Sequence, residues 1–373
     1  MLCCLKLKTA PIIDHRISIS SDSCNNLCDQ MIQSMDVSLK HNSNSVEISC
    51  SSFLMSNIAS WEFDPLQASM QTPDFLAFMF FTMVTENNDQ VEKLNNLMPF
   101  SIAIARLYHD APNPYHNKRH AAHVLNNFHM LLKATGELQN EPYLRLAAYI
   151  AVYCHDVDHY GTTNGYLIAT KHVRALGYNC SSPQEMHHAS IACELVDRFK
   201  LLKFLNVDHA EFKKNIVRFI IYTDISKHDK FCKSFNPSSQ RHRIKLLVKC
   251  SDLGHTYAPL SQHVKWVELL QSEFFIQGDK EKVQEIPISP LMDRASPKNM
   301  AAIQPKFFKF VVMPMIDLLY VTFPIADFYK IKENINANLE YWQGKMFESK
   351  SSEESIANTQ SMPLYKMQSS LRD

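Results

Sequence analysis

Glycine is scarce in this chain, with 7 residues in a sequence of 373. So few glycines argue against a glycine-rich phosphate loop or a dinucleotide-binding turn, since both need them at fixed positions. Long apolar runs are also missing: the longest, residues 75–84, is too short to span a bilayer. The formal net charge is zero, because 38 basic side chains balance 38 acidic ones. A chain without a basic field is not expected to bind nucleic acid.

Paired cysteine motifs are absent as well, although the chain has 10 cysteines. Cys24 and Cys28 have no matching pair downstream, so a zinc knuckle is not expected.

The first residues lack the apolar segment and cleavage site of a secretory signal, which favours a cytoplasmic protein with reduced thiols. Cys3 and Cys4, beside two lysines, are either ordinary thiols or an S-acylated membrane anchor. Leu2 stands where N-myristoylation requires glycine.

What the chain does have is hydrophobic residues, 46% of the total, which is enough for a large core. Between residues 61 and 345 they recur at helical spacing, and no strand-like alternation interrupts them. We therefore expect one all-α domain there, divided into helical lobes because it is large for a single core. Residues 1–60, rich in Ser, Asn and Cys, are expected to be a flexible extension, and residues 346–373 a disordered tail.

Histidine is abundant, with 17 residues, and several of them cluster with aspartate. NPYHNKRHAAHV and CHDVDHYGTTN each place two histidines four residues apart, and SDLGH follows another apolar helix. One such stretch alone is more often a satisfied core group. Three beside apolar helices indicate a metal site, because buried imidazole and carboxylate groups need a partner. Zinc, manganese or iron suits such ligands, and magnesium suits carboxylate and water. The candidates are His116, His120, His155, Asp156, His159 and Asp252.

These stretches resemble the signatures of a known family. YHNKRHAAHV is similar to YHNxxHAxxV, and HDVDHYGTTN to HDxxHxGxxN, of the class I cyclic-nucleotide phosphodiesterases. The segments YTDISKH, SDLGH, EFFIQGDKE and ISPLMDR, and then Gln304, follow in the family's order, so the resemblance runs from about Trp61 to Trp342. It implies an all-α catalytic domain of the HD-type metal phosphohydrolase superfamily. The activity implied is hydrolysis of cAMP, cGMP or both to 5′-nucleoside monophosphates.

The resemblance also implies a two-metal site. A tightly held ion, usually zinc, would bind His120, His155, Asp156 and Asp252. A second ion, magnesium or manganese, would share Asp156 and bind mostly water, with His159, Glu185 and Thr223 around that water. His116 matches the general acid that protonates the leaving ribose O3′. Glu273 matches the carboxylate that orients His116.

The implied base pocket contains Gln304, Phe307, Leu270, His255 and His263. Gln304 would bind the purine edge, while Phe307 and Leu270 would clamp its faces. The two histidines resemble those of the calmodulin-stimulated, dual-specificity subfamily. Two departures from the family pattern stand out, the first in this pocket and the second near the water around the second metal. The usual QxGF reads QPKF, with Pro305 and Lys306, and the usual ENHH reads EMHH. A proline within a helix can displace its neighbours, so we expect Pro305 to shift Gln304 and Phe307.

Two other functions stay open on the sequence. One is a different HD-type phosphohydrolase, such as a nucleotidase. The other is a cyclic-nucleotide-binding protein that does not catalyse. Gln304 and the motifs beyond residue 255 favour the phosphodiesterase, because a general HD enzyme does not need them. The expected partner is a cyclic nucleotide. A homodimer is compatible with the sequence, and no regulatory partner is indicated.

Overall fold

The computed structural model describes residues 58–67, 75–86, 91, 94, 96–108, 113–295 and 300–360. Within these residues the regular structure is entirely helical, which confirms the predicted all-α fold. The helices are α1 (Phe75–Thr85), α2 (Leu97–Arg106), α3 (Lys118–Thr135), α4 (Pro142–Cys154), α5 (Asn164–Ala169), α6 (Val173–Gly177), α7 (Pro183–Arg198), α8 (His209–Ile221), α9 (His228–Lys233), α10 (Gln240–Asp252), α11 (Leu260–Val283), α12 (Met300–Phe307), α13 (Met313–Thr322) and α14 (Tyr329–Gln360).

Helix α4 lies at the centre of the main hydrophobic core. Every side chain from Leu146 to Cys154 is buried, as its nearly continuous apolar sequence predicts. Helices α3, α7 and α8 pack around it, and α10 packs on α3. The ring of Phe80 from α1 stacks on Tyr153 with centroids 4.2 Å apart. The residues that follow α4 therefore leave a rigid, buried helix.

Local caps fix where the site-bearing helices begin and end. Asn117 caps α3, since its Oδ1 accepts the Arg119 N–H at 2.9 Å. At the other end of α3, Gly136 adopts a φ of +66°, a left-handed conformation that favours glycine. Pro142 occupies the first turn of α4, where its missing N–H costs nothing.

The long helix α14 docks one face on the segment that follows α10. Asn334 Nδ2 donates to the Tyr257 carbonyl at 2.9 Å. Asn338 Nδ2 donates to the carbonyls of Thr256 and Ala258 at 2.9 and 3.0 Å. Four-residue spacing puts both asparagines on one helical face. Helix α14 therefore holds the 3₁₀ turn Gly254–Tyr257 against the domain.

The expected domain boundaries stay predictions. Residues 1–57, with the proposed acylation site at Cys3 and Cys4, lie outside the described residues. Helix α14 continues to Gln360, past the expected boundary at 345, and residues 361–373 are again outside the described part. Across the described residues, none of the helices has the length and apolar character needed to cross a membrane.

Candidate active site

Four side chains from three parts of the chain converge on one point. His120 comes from α3, His155 and Asp156 directly follow α4, and Asp252 ends α10. His120 Nε2 lies 3.3 Å from Asp156 Oδ2 and 3.3 Å from Asp252 Oδ1. His155 Nε2 lies 3.2 and 3.5 Å from the same oxygens, and the two Nε2 atoms are 3.3 Å apart. These are the four residues that the family resemblance implies as ligands of the tight metal, and their candidate ligand atoms all lie within 4.8 Å of one another.

The electrostatics of this cluster fit a divalent cation. Burial alone would raise the pKa of Asp156, but His155 and His120 hold it well below its ordinary value. Burial alone would lower the pKa of His155, but Asp156 and Asp252 raise it well above the usual range. His155 Nδ1 donates to the Val152 carbonyl at 2.8 Å, which turns Nε2 toward the cluster. Buried imidazole nitrogens and carboxylate oxygens of this kind are the ligands that bind a transition-metal ion.

The other oxygen of Asp156 faces a residue that the sequence did not single out. His188 on α7 is fully buried, and its Nε2 lies 3.8 Å from Asp156 Oδ1. Its Nδ1 donates to the Val157 carbonyl at 2.6 Å, and its Nε2 has no hydrogen-bond partner. Asp156, His159 and His188 form a second group with the spacing of metal ligands. In the sequence, the signal that could have identified His188 is its place as the last histidine of EMHH.

His159 has the opposite tautomer to His155 and His188, which both donate through Nδ1. Its Nδ1 accepts the Gly161 N–H at 3.1 Å, so a neutral ring carries its proton on Nε2. Burial, together with the nearby His116, lowers the pKa of His159 to about 3. The ring of His159 stacks on that of His116 with centroids 4.0 Å apart. His159 is therefore a neutral hydrogen-bond donor beside the cluster.

Glu185 lies close enough to Asp156 for the two carboxylates to interact, whereas no contact of Thr223 with this second group is seen among the described residues. Glu185 Oε2 accepts from Asn164 Nδ2 at 2.8 Å. Burial, with the nearby carboxylates of Asp224 and Asp156, raises the pKa of Glu185 to about 7. Thr223 follows the end of α8 and donates to the Ile220 carbonyl at 2.8 Å. A carboxyl with so high a pKa can accept or donate a hydrogen bond near neutral pH.

His116 and Glu273 form a close pair at the edge of the cluster. His116 Nδ1 lies 2.5 Å from Glu273 Oε1, and Glu273 Oε2 accepts the backbone N–H groups of His116 and Tyr115 at 3.0 Å each. Burial alone would lower the pKa of His116, but the Glu273 carboxylate raises it to about 9. The pKa of Glu273 falls to about 2 despite its burial, because of His116. The pair is a charged imidazolium and carboxylate near neutral pH.

The five residues of the predicted base pocket fall into three places. The rings of His255 and His263 stack with centroids 5.4 Å apart and an interplanar angle of 5°. Gln304 and Phe307 share α12, with Gln304 buried and Phe307 partly buried. Leu270 is partly buried on α11.

Both ring nitrogens of His263 already have partners. Trp342 Nε1–H donates to His263 Nε2 at 2.7 Å, and His263 Nδ1 donates to the His255 carbonyl at 3.0 Å. These bonds fix a neutral tautomer, and burial lowers the pKa of His263 to about 4. His263 therefore has no proton to spare for a further acceptor.

Pro305 lies inside α12, and the helix does not end there. The backbone instead widens into a π-helix over Phe308–Val312 before α13. Gln304 stays 4% exposed, and its Oε1 has no hydrogen-bond partner. A π-helical segment thus follows QPKF, and Gln304 stays buried.

Comparisons with known proteins point to one family. Residues 115–333 match the family model described as 3′5′-cyclic nucleotide phosphodiesterase. The chain is 32% identical over 281 residues to the dual specificity calcium/calmodulin-dependent 3′,5′-cyclic nucleotide phosphodiesterase 1B of Bos taurus, covering 71% of this chain and 52% of that protein. It is 31% identical over 229 residues to the high affinity cGMP-specific 3′,5′-cyclic phosphodiesterase 9A of Mus musculus, covering 58% of this chain and 43% of that protein.

A solved structure gives the same result for the fold. The phosphodiesterase domain of the RhoPDE fusion protein from the choanoflagellate Salpingoeca rosetta superposes with a TM-score of 0.71 at 25% identity, covering 79% of this chain and 97% of that one. The chain spans about half the length of the curated relatives it matches. The match to the family model, which covers more than half of the chain, shows that this chain belongs to the 3′,5′-cyclic nucleotide phosphodiesterase family.

Proposed function

We propose that this chain hydrolyses 3′,5′-cyclic nucleotides to 5′-nucleoside monophosphates. The observation that carries the proposal is the position of the His116–Glu273 pair beside the four-residue cluster. The rings of His116 and His120 have centroids 5.6 Å apart. A proton donor and a candidate metal centre therefore face the same small space, as hydrolysis of a phosphodiester with an alkoxide leaving group requires.

Distances in the cluster support zinc at the tight position. Zinc bonds of about 2.0–2.1 Å in tetrahedral geometry place neighbouring ligand atoms roughly 3.3–3.4 Å apart. The nitrogen–oxygen and nitrogen–nitrogen separations here are 3.2 to 3.5 Å. Asp156 Oδ1, turned away toward His188, is free for a second ion. Magnesium or manganese would suit that position if water completes its ligand set.

Two such ions, when bound, supply an activated water and offset phosphoryl charge. The rest of the reaction depends on this chain's own residues. Glu273 holds His116 Nδ1, so the Nε2–H of the imidazolium is the proton that can reach the ribose O3′. Because the pKa of His116 is about 9, the donor is charged near neutral pH. Protonation of O3′ removes the need to expel an alkoxide.

The base pocket supports acceptance of both cAMP and cGMP. Adenine presents an acceptor at N1 and a donor at its amino group, and guanine presents the reverse. A glutamine amide can serve either base by rotating, provided that no neighbour fixes it. His263 cannot fix it by donating, because its single proton goes to the His255 carbonyl. Among the described residues, no hydrogen bond to Gln304 Oε1 fixes the orientation of its amide.

Hydrolysis of cAMP and cGMP by the purified chain, measured separately with and without divalent metal, tests the proposal. We expect 5′-nucleotides from both, with kcat/KM values within roughly tenfold, which corresponds to about 1.4 kcal/mol. Values more than about a hundredfold apart would contradict dual specificity. Release of phosphate from nucleoside monophosphates, with cyclic nucleotides untouched, would instead indicate a nucleotidase. Binding without turnover would indicate a non-catalytic cyclic-nucleotide-binding protein.

A further inference from the structure

Asn113 lies just before the YHN motif and connects two histidines of the site. Its side chain is 3% exposed. The Nδ2 atom lies 2.7 Å from the His159 carbonyl oxygen and 3.3 Å from the His116 carbonyl oxygen. Both partners can only accept, so the amide nitrogen must face them, and each takes one of its two hydrogens. A single side chain thus joins two segments that are 43 residues apart in sequence, His116 and His159.

Two further contacts hold Asn113 in place. Asn117 Nδ2 donates to the backbone carbonyl of Asn113 at 2.8 Å. On its other side, Asn113 Oδ1 packs against Gly161, where an added Cβ would lie 2.2 Å from that oxygen. Gly161 also has a φ of +69°, which L side chains rarely adopt. The close approach of Asn113 therefore depends on glycine at this position.

We propose that Asn113 is a positioning residue for proton transfer, because its amide fixes the backbone of His116 and His159 and so sets the 4.0 Å contact of their rings. The inference rests on the proposed hydrolytic function. Glu273 holds His116 from one side, through its ring and its backbone N–H. Asn113 holds the carbonyl of the same residue and ties it to the loop that follows Asp156. The position of His116, the proposed proton donor, is thereby fixed relative to the four-residue cluster.

The test compares substrates that do and do not need a proton donor. Asn113→Ala should lower kcat for the cyclic nucleotide by roughly 10- to 100-fold, since a donor misplaced by about 1 Å loses catalysis on this scale. A nucleoside 4-nitrophenyl phosphodiester has a leaving group that needs no proton, so its kcat should fall by less than about threefold. Metal content should be unchanged. Equal losses on both substrates, or no loss on either, would overturn the proposal.

Asn126→Ala is the matched control. Asn126 is also a buried asparagine whose Nδ2 donates to a backbone carbonyl, that of Ser60 at 2.7 Å. Its replacement removes the same kind of interaction but does not touch His116. The ratio of the two kcat values should therefore stay at its wild-type value in this variant. A ratio that moves as far as in Asn113→Ala would mean that general destabilisation explains the effect.

Two further experiments extend the test. A second variant, Gly161→Ala, covers the case in which Asn113→Ala does not fold, and crystal structures give a readout that does not depend on turnover. Gly161→Ala should reproduce the loss of kcat by displacing the Asn113 amide, and most of its effect should vanish when combined with Asn113→Ala. Additive losses would contradict the proposal. Crystal structures of the wild type and Asn113→Ala need no activity at all. The His116–His159 ring contact should open in the variant, and an unchanged contact would overturn the inference, whereas an inactive wild type would count against the proposed function alone.

Discussion

At the scale of single residues, the carboxylate of Glu273 decides the protonation of His116. Burial alone would leave this imidazole neutral near pH 7, and the neighbouring carboxylate reverses that outcome. The sign of the stability effect follows. The folded-state pKa of His116, about 9, exceeds its ordinary value of 6.5, while that of Glu273, about 2, lies below its ordinary value of 4.5. The pair therefore stabilises the fold fully between about pH 4.5 and 6.5, and this contribution is lost as pH rises through 9 or falls through 2.

Glu273→Gln should therefore move the pH dependence of kcat. A general acid must be protonated to act, so activity falls as pH rises through the pKa of His116. Without the carboxylate that pKa should return toward 6.5 or below, and the alkaline limb of kcat should move from about pH 9 to lower pH. Glu268→Gln, an exposed α11 carboxylate paired with Lys265, is the control and should leave the profile unchanged. An unshifted limb in Glu273→Gln would contradict the assignment of His116.

Patterns in the sequence identified most of the side chains of the candidate site, but not all of them. The motifs supplied His116, Glu273 and the cluster residues, because spacing and order in the chain carry that information. Their roles stay predictions. His188 and Asn113 were missed for a physical reason. Each acts through one buried hydrogen-bonding atom, and the partners lie 31 and 46 residues away in the sequence.

At the scale of helices, α14 supports the predicted base pocket from outside. Asn334, Asn338 and Trp342 recur every four residues and contact the turn after α10 and His263. Helical periodicity was expected up to residue 345, which covers only the first half of α14. The partner of α14 could not be read from the sequence, because the docking depends on how α10 and α11 are placed. Pro305 was expected to displace its neighbours Gln304 and Phe307. The structure places a π-helix after it, which lets the chain continue into α13.

Trp342→Phe tests this support. The variant keeps an aromatic ring but removes the N–H that His263 Nε2 accepts. A buried acceptor without a donor costs about 1–3 kcal/mol, so the free energy of unfolding in urea should fall by that amount. Tyr341→Phe, one position earlier on α14, is the control and should change stability less. Equal stability of Trp342→Phe and the wild type would show that the bond contributes little.

At the scale of the whole molecule, the site joins helices that are far apart in sequence. His120 and Asp252, on α3 and α10, are brought together by the packing of these two helices beside the buried α4. A bound ion at the cluster would act as a cross-link between them. The helical class and the large core followed from periodicity and composition, whereas the relative placement of the helices is a property of the packed core and not of any one segment.

Chelation should therefore lower the melting temperature of the metal-loaded chain. An ion at 100 times its Kd stabilises the folded state by about 2.7 kcal/mol. For a domain of this size each kcal/mol corresponds to roughly 2–4 °C, so we expect a fall of roughly 5–10 °C. Adding zinc back should restore the original value. A melting temperature that is the same with and without chelator would show that the cluster does not bind metal tightly.

One measurement tests the central claim most directly: metal content and cyclic-nucleotide hydrolysis determined together for Asp156→Ala. One oxygen of this carboxylate faces His120 and His155, and the other faces His188. Loss of the side chain should abolish hydrolysis and reduce bound metal in the same protein. Asp197→Ala, which removes an exposed carboxylate paired with Lys213, should keep both. An Asp156→Ala protein that hydrolyses cyclic nucleotides at a near-normal rate would contradict the two-metal site.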